Sequence, residues 1–185
     1  MEAPKEDAAS YVNRKGVHSI ILQDVCNSRS LFTHCYAGHV GSVHDARVFR
    51  NSPVAHFIEL AEYFPKDSHI IGVAAYPIHP HVMVPFRDNG DLTLRQKNYN
   101  YCLSSTRMAI ERAFGLLKMR FRILLDCLPL VDVNKIPEFI IACCVLHNIC
   151  ILKNDLMNVV VHRENEQIQP IIPAINVHLG NEKKK

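Results

Sequence analysis

The stretch from Leu103 to Arg122 constrains this chain more than any other. Wound at about 100° per residue, it gathers Leu103, Ile110, Phe114, Leu117 and Phe121 into one narrow stripe. Arg107, Glu111, Lys118 and Arg122 fall into a second stripe beside it. The apolar stripe has to be covered, so the charged stripe runs along the rim of whatever covers it. A single acid among bases at such a rim supports two readings. In one, Glu111 pairs with Arg107 four residues earlier, a common surface arrangement worth little. In the other, its carboxylate projects toward a metal ion.

The rest of the chain alternates strands and helices. His18 to Asn27 alternates around Ile20, Leu22 and Val25 and predicts a strand. A turn over residues 27–30 leads to a second strand, Leu31 to Val40, which closes a hairpin. Ser42 or Asp45 is placed to cap a helix beginning near Ala46, and Pro53 breaks or kinks that helix. The apolar run from His69 to Ala75 predicts a buried strand, and His81 to Phe86 one more short strand. The long helix follows, from about Gln96 or Ser104 to Phe121. A linker with Pro129 leads to a last helix, Ile136 to about Leu152, capped by Asn134 or Asp132, with Pro137 in its first turn. That helix is apolar on nearly every side, so it is buried or pairs with another subunit. Residues 1–153 read as one α/β domain, and 154–185 as a polar, flexible tail ending in three lysines.

The net charge of +3 neither demands nor excludes nucleic acid. There is no run of about 18 apolar residues free of charge, so no transmembrane helix is expected. The 7 cysteines follow no framework spacing and read as free thiols. Cys143-Cys144-x-x-His147 offers three soft ligands, but on so apolar a helix these read as core residues. Asp45 is a helix cap or a metal ligand. Arg14, Lys15, Arg47, Arg107, Arg112, Lys118, Arg120 and Arg122 form either a phosphate-contacting face or solvated surface charge.

Five stretches together resemble a known family. They are Tyr11-Val12-Asn13-Arg14-Lys15-Gly16-x-His18-Ser19, Gly41-Ser42-Val43-His44-Asp45-Ala46-Arg47-Val48-Phe49, Tyr76-Pro77, Ile110-Glu111-Arg112-Ala113-Phe114-Gly115-Leu116-Leu117-Lys118-x-Arg120-Phe121-Arg122, and Ala142-Cys143-Cys144-Val145-Leu146-His147-Asn148. In this order they resemble the Harbinger transposase-derived nucleases, a DDE-type group, across about residues 3–153. The resemblance implies an RNase H-like mixed sheet with flanking helices. It also implies a nuclear hydrolase that cuts DNA with two divalent ions, magnesium or manganese, held by carboxylates. By the same resemblance Glu111 matches the last catalytic acid and a metal ligand, and Asp45 a second metal ligand. Arg107 and Lys118 would steady phosphate, with Arg120, Arg122, Arg14 and Lys15 as further DNA contacts. A separate Myb/SANT-like protein is the implied partner.

Two departures set expectations. The family's Gly-Asp-x-x-Tyr-Pro pattern reads Gly72-Val73-Ala74-Ala75-Tyr76-Pro77 here, so Val73 replaces an aspartate. The family's first aspartate lies on a central strand upstream of the loop in which this sequence begins. Both leading acids, and that first strand, are therefore expected to be missing. The expected consequences are an inactive nuclease domain and an exposed sheet edge prone to self-association. The alternative is a non-catalytic module that binds DNA or protein.

Overall fold

The computed structural model describes residues 1–155 apart from 2, 5, 126–127 and 129–131. The segment around Pro129 and the tail beyond residue 155 lie outside the described residues. Strands β1 (Ile20–Cys26) and β2 (Phe32–Val40) form the expected antiparallel hairpin, with register breaks after Ile21 and Val25. Its turn is built by Asn27. The side-chain Oδ1 accepts from Arg29 N and Leu31 N at 3.0 and 3.1 Å, which frees Ser30 to take a positive φ of 62°.

Helix α1 (Asp45–Asn51) follows, and α2 (Pro53–Phe57) restarts at the proline as expected. The α1 cap differs from expectation. His44, not Ser42 or Asp45, is the N-cap residue, its ring nitrogen accepting from Ala46 N at 3.4 Å. Asp45 thus becomes the first helical residue. The predicted strands at 69–75 and 81–86 shrink to β3 (Ile70–Ile71) and β4 (Val82–Met83), paired in parallel. A strand extends only as far as it has a partner, and β4 offers β3 two residues. Beyond them Tyr76 N turns back to Val73 O at 3.0 Å.

Helix α3 (Leu94–Arg120) starts earlier than its apolar stripe does. A capping box sets the start: Thr93 accepts from Gln96 N, and Gln96 Oε1 accepts from Thr93 N at 2.9 Å. Helix α4 (Ile136–Leu152) has the predicted bounds, led in by a turn whose Asn134 N donates to Asp132 Oδ1 at 3.0 Å.

The main core lies where α3 and α4 cover the hairpin. Ala113, Leu117, Cys143, Cys144 and Phe32 are its buried centre, with Leu22, Cys26, Cys35, Ile110, Phe114 and Phe121 around them. The predicted α3 stripe therefore faces inward. By length and composition Val133–Leu152 could cross a membrane, which the charge-free criterion missed because Lys135 and Glu138 interrupt it. One side of it, with Ile136, Ile140, Cys143, Cys144 and His147, is buried as in a core helix, whereas Val145, Leu146, Ile149 and Leu152 are exposed. A second core joins Phe49, Val54 and Ile58 to Val82, and so ties the α1–α2 unit to the β3–β4 pair.

The two sheets are separate: β1 pairs only with β2, and β3 only with β4, among the described residues. The architecture is mixed α/β, divided into two two-stranded sheets rather than one continuous sheet.

Candidate functional site

Between β1 and β3 lies a cavity of about 630 Å³. Residues 21–28 form one wall, residues 69–73 with Tyr76 the opposite wall, and α3 residues from Ser105 to Phe114 close it on a third side. Asp45 and Glu111, 66 positions apart in sequence, both line it, and so does Val73. The fold thus brings together the two acids and the valine singled out in the sequence.

Their surroundings differ. Asp45 is exposed at the start of α1, beside Tyr76. Burial, and then the Asp45 charge, push the Tyr76 hydroxyl up to about 12, so it stays neutral and able to donate. Glu111 accepts from Arg107 Nη1 at 2.7 Å in an i,i+4 pair, with the Glu111 side chain half exposed. The ordinary ion-pair reading of Glu111 is thus realised, and its carboxylate is neutralised at the cavity rim. Arg107 and Arg112 line the cavity.

The remaining bases are dispersed. Lys118 is exposed about two helical turns beyond Glu111, and Arg122 is exposed just past the end of α3. Arg14 and Lys15 sit at the tip of a separate small hairpin closed by the Val12–His18 bridge. Arg120 departs from the expectation of a DNA contact. Its side chain is 8% exposed and its guanidinium bonds to Asp155, at 2.7 Å to Oδ2. At position 120 the helix has turned this side chain off the charged stripe and down toward α4.

The sequence reading missed Asp24. It shares strand parity with Leu22 and Cys26, which pack on the main core, so an acid at an inward position was visible in the alternation. It lines the cavity, but Cys35 and Cys144 are its neighbours. Burial raises its carboxyl to about 7, against the opposing pull of hydrogen bonds from the two thiols. The Cys35 thiol is pushed far above its ordinary value, first by its hydrogen bond to Cys144, then by burial and by Asp24.

The Leu146-His147-Asn148 motif has a structural part in this fold. His147 is fully buried, with Nε2 2.9 Å from Ser30 O. Burial lowers its pKa, so the ring is neutral and that carbonyl selects the Nε2-H tautomer. Asn148 receives Phe32 N at 2.9 Å and donates Nδ2 to Phe32 O at 2.7 Å. The pair clamps the hairpin turn onto α4, and Cys143, Cys144 and His147 do not converge as a three-ligand set.

Comparison with known proteins identifies the family. The family model described as DDE superfamily endonuclease matches residues 1–148. HARBI1 of Rattus norvegicus and of Homo sapiens are each 32% identical over 151 residues, covering 80% of this chain and 42% of the relative. The "Protein ALP1-like" of Arabidopsis thaliana is 30% identical over 148 residues, 74% of this chain and 36% of that protein. A second Arabidopsis thaliana relative, named Antagonist of Like Heterochromatin Protein 1, is 26% identical over 145 residues, 72% of this chain and 36% of that protein. The chain therefore spans well under half the length of the curated relatives it matches. No solved structure gives a significant match. With the family model covering most of the chain and relatives of this identity, the chain belongs to the Harbinger transposase-derived DDE endonuclease family.

Proposed function

We propose that these 185 residues hold a DDE nuclease domain that does not cut DNA. We read the two separate sheets as an RNase H-like sheet opened at its first strand, because β1 and β3 each turn an unpaired edge to one cavity. The observation that supports inactivity is the donor set around that cavity. A pair of magnesium ions needs several oxygen ligands in near-octahedral array. Among the described residues the cavity offers three carboxylates. Asp24 is gathered with two thiols, Glu111 is held by Arg107, and Asp45 stands alone. The Val73 side chain has no ligating atom, where the family resemblance implies an aspartate. The set does not fit a metal pair. The expected result of a nicking assay with magnesium or manganese is no cleavage above background, unchanged by Glu111→Gln. Robust cleavage abolished by Glu111→Gln contradicts the proposal.

A second reading, a binding module working in the nucleus, is favoured by the exposed bases Arg112 and Lys118 on α3 and Arg122 just beyond its end. A heterochromatin protein in the name of one plant relative also supports a protein partner, beside the Myb/SANT-like one implied by the family. If α3 meets DNA, log Kd rises with log salt at a slope of about 0.9 per phosphate contact. Arg112→Ala and Lys118→Ala should each lower that slope by about 1, and Arg120→Ala, being paired with Asp155, should not. Slopes unchanged in the first two variants remove the α3 face from the interface.

A further inference from the structure

Asp24, Cys35 and Cys144 come from three different elements, with no sequence motif linking them. Asp24 and Cys35 are direct cross-strand partners in the hairpin. Helix α4 lies over that hairpin and delivers Cys144, which is fully buried. One ligand atom from each residue lies within 4.8 Å of the other two. Asp24 Oδ2 and Cys144 Sγ are 3.9 Å apart, and buried Asp24 Oδ1 has no hydrogen-bond partner. A buried carboxylate ordinarily meets strong donors or a cation. This one meets two thiols, which are weak donors.

We propose that Asp24, Cys35 and Cys144 bind one zinc ion. Zinc bonds of about 2.3 Å to sulfur and 2.0–2.2 Å to carboxylate oxygen place tetrahedral ligands roughly 3.5–3.8 Å apart. The observed spacing needs to close by no more than about 1 Å. The mixed oxygen and sulfur set selects zinc over magnesium, which takes oxygen alone. Three protein ligands leave the fourth position for a water or a small ligand. Of the three, Asp24 also lines the cavity between β1 and β3, which brings the cluster to the edge of that space. In the Cys143-Cys144-x-x-His147 run only Cys144 takes part, since His147 is committed to Ser30 O. The site draws on neither Asp45 nor Glu111 and stands whether or not the chain cleaves DNA.

Cobalt(II) titration of the purified, reduced full chain tests it. One equivalent is expected to bind, giving a near-ultraviolet sulfur-to-cobalt band and the strong visible absorption of a tetrahedral ion. One equivalent of zinc is expected to bleach both. Cys35→Ser and Cys144→Ser should each lose most of the sulfur band. Asp24→Asn, which preserves shape, should weaken zinc at least about tenfold. Cys102→Ser, at an exposed cysteine of α3, should change nothing. If either Cys→Ser variant fails to fold by circular dichroism, Asp24→Asn decides the question. The site is overturned by the absence of a sulfur band at stoichiometric metal, or by undiminished zinc affinity in folded Asp24→Asn. A Cys35–Cys144 disulfide in the reduced preparation also overturns it.

Discussion

Asn148→Ala is expected to cost about 2–5 kcal/mol of folding stability. The side chain satisfies both the N–H and the C=O of Phe32, a residue only 6% exposed at the start of β2. Removing it orphans both groups, and each buried unsatisfied polar group costs about 1–3 kcal/mol. Asn100 makes the same two-bond pattern to Phe86, at 2.8 and 2.9 Å, but Phe86 is 47% exposed. Water can replace that pair, so Asn100→Ala should cost under about 1 kcal/mol. Urea denaturation of the two variants beside the parent gives the comparison. Equal losses would mean that the Asn148 clamp adds nothing beyond an exposed hydrogen-bonded pair.

The second large effect is in pH. Asp24 keeps its proton to about 7 in the folded chain but releases it near 3.8 when unfolded. Between those values the unfolded state binds fewer protons than the folded state, so stability falls as pH rises. Each tenfold difference in proton affinity between the two states is worth about 1.4 kcal/mol, so the loss reaches up to about 4 kcal/mol by pH 8. The groups facing Asp24 are the Cys35 and Cys144 thiols, with Cys26 and Arg112 nearby. Asp24→Asn carries no charge to bury. With chelator and reductant present, its stability advantage over the parent should grow from pH 4 to pH 8 by about that amount. Parallel stability curves for the two chains would show that Asp24 ionises freely in the folded state.

How far the sequence reached follows from the kind of signal each element left. The α3 stripe and the hairpin are periodic apolar patterns and α4 is a long apolar run, and packing realised all three because burial of apolar surface is the largest available term. The sequence leaves the start of α3 open between Gln96 and Ser104 because Leu94 to Asn98 is mostly polar; the Thr93–Gln96 capping box settles it near the earlier of the two. The strand at 69–75 was overread because an apolar run does not say how many residues a partner strand will offer. At the site, Asp45, Glu111 and Val73 line one cavity. Arg120 lies about 180° around the helix from Glu111, and its pairing with Asp155 was not legible because the partner is 35 residues further on. Asp24 was overlooked although its strand parity placed it inside. Its neighbours Cys35 and Cys144 lie 11 and 120 residues further on, and only the closed fold shows the three together.

On the proposed reading, the carboxylates around the β1–β3 cavity do not grip a pair of divalent ions. Manganese(II) titration of the chain, followed by electron paramagnetic resonance of the free ion, measures this directly. The expected result is a free-ion signal that rises in proportion to added manganese, the same in the parent, Asp45→Asn and Glu111→Gln. Two equivalents taken up tightly by the parent, and lost in either variant, would contradict it.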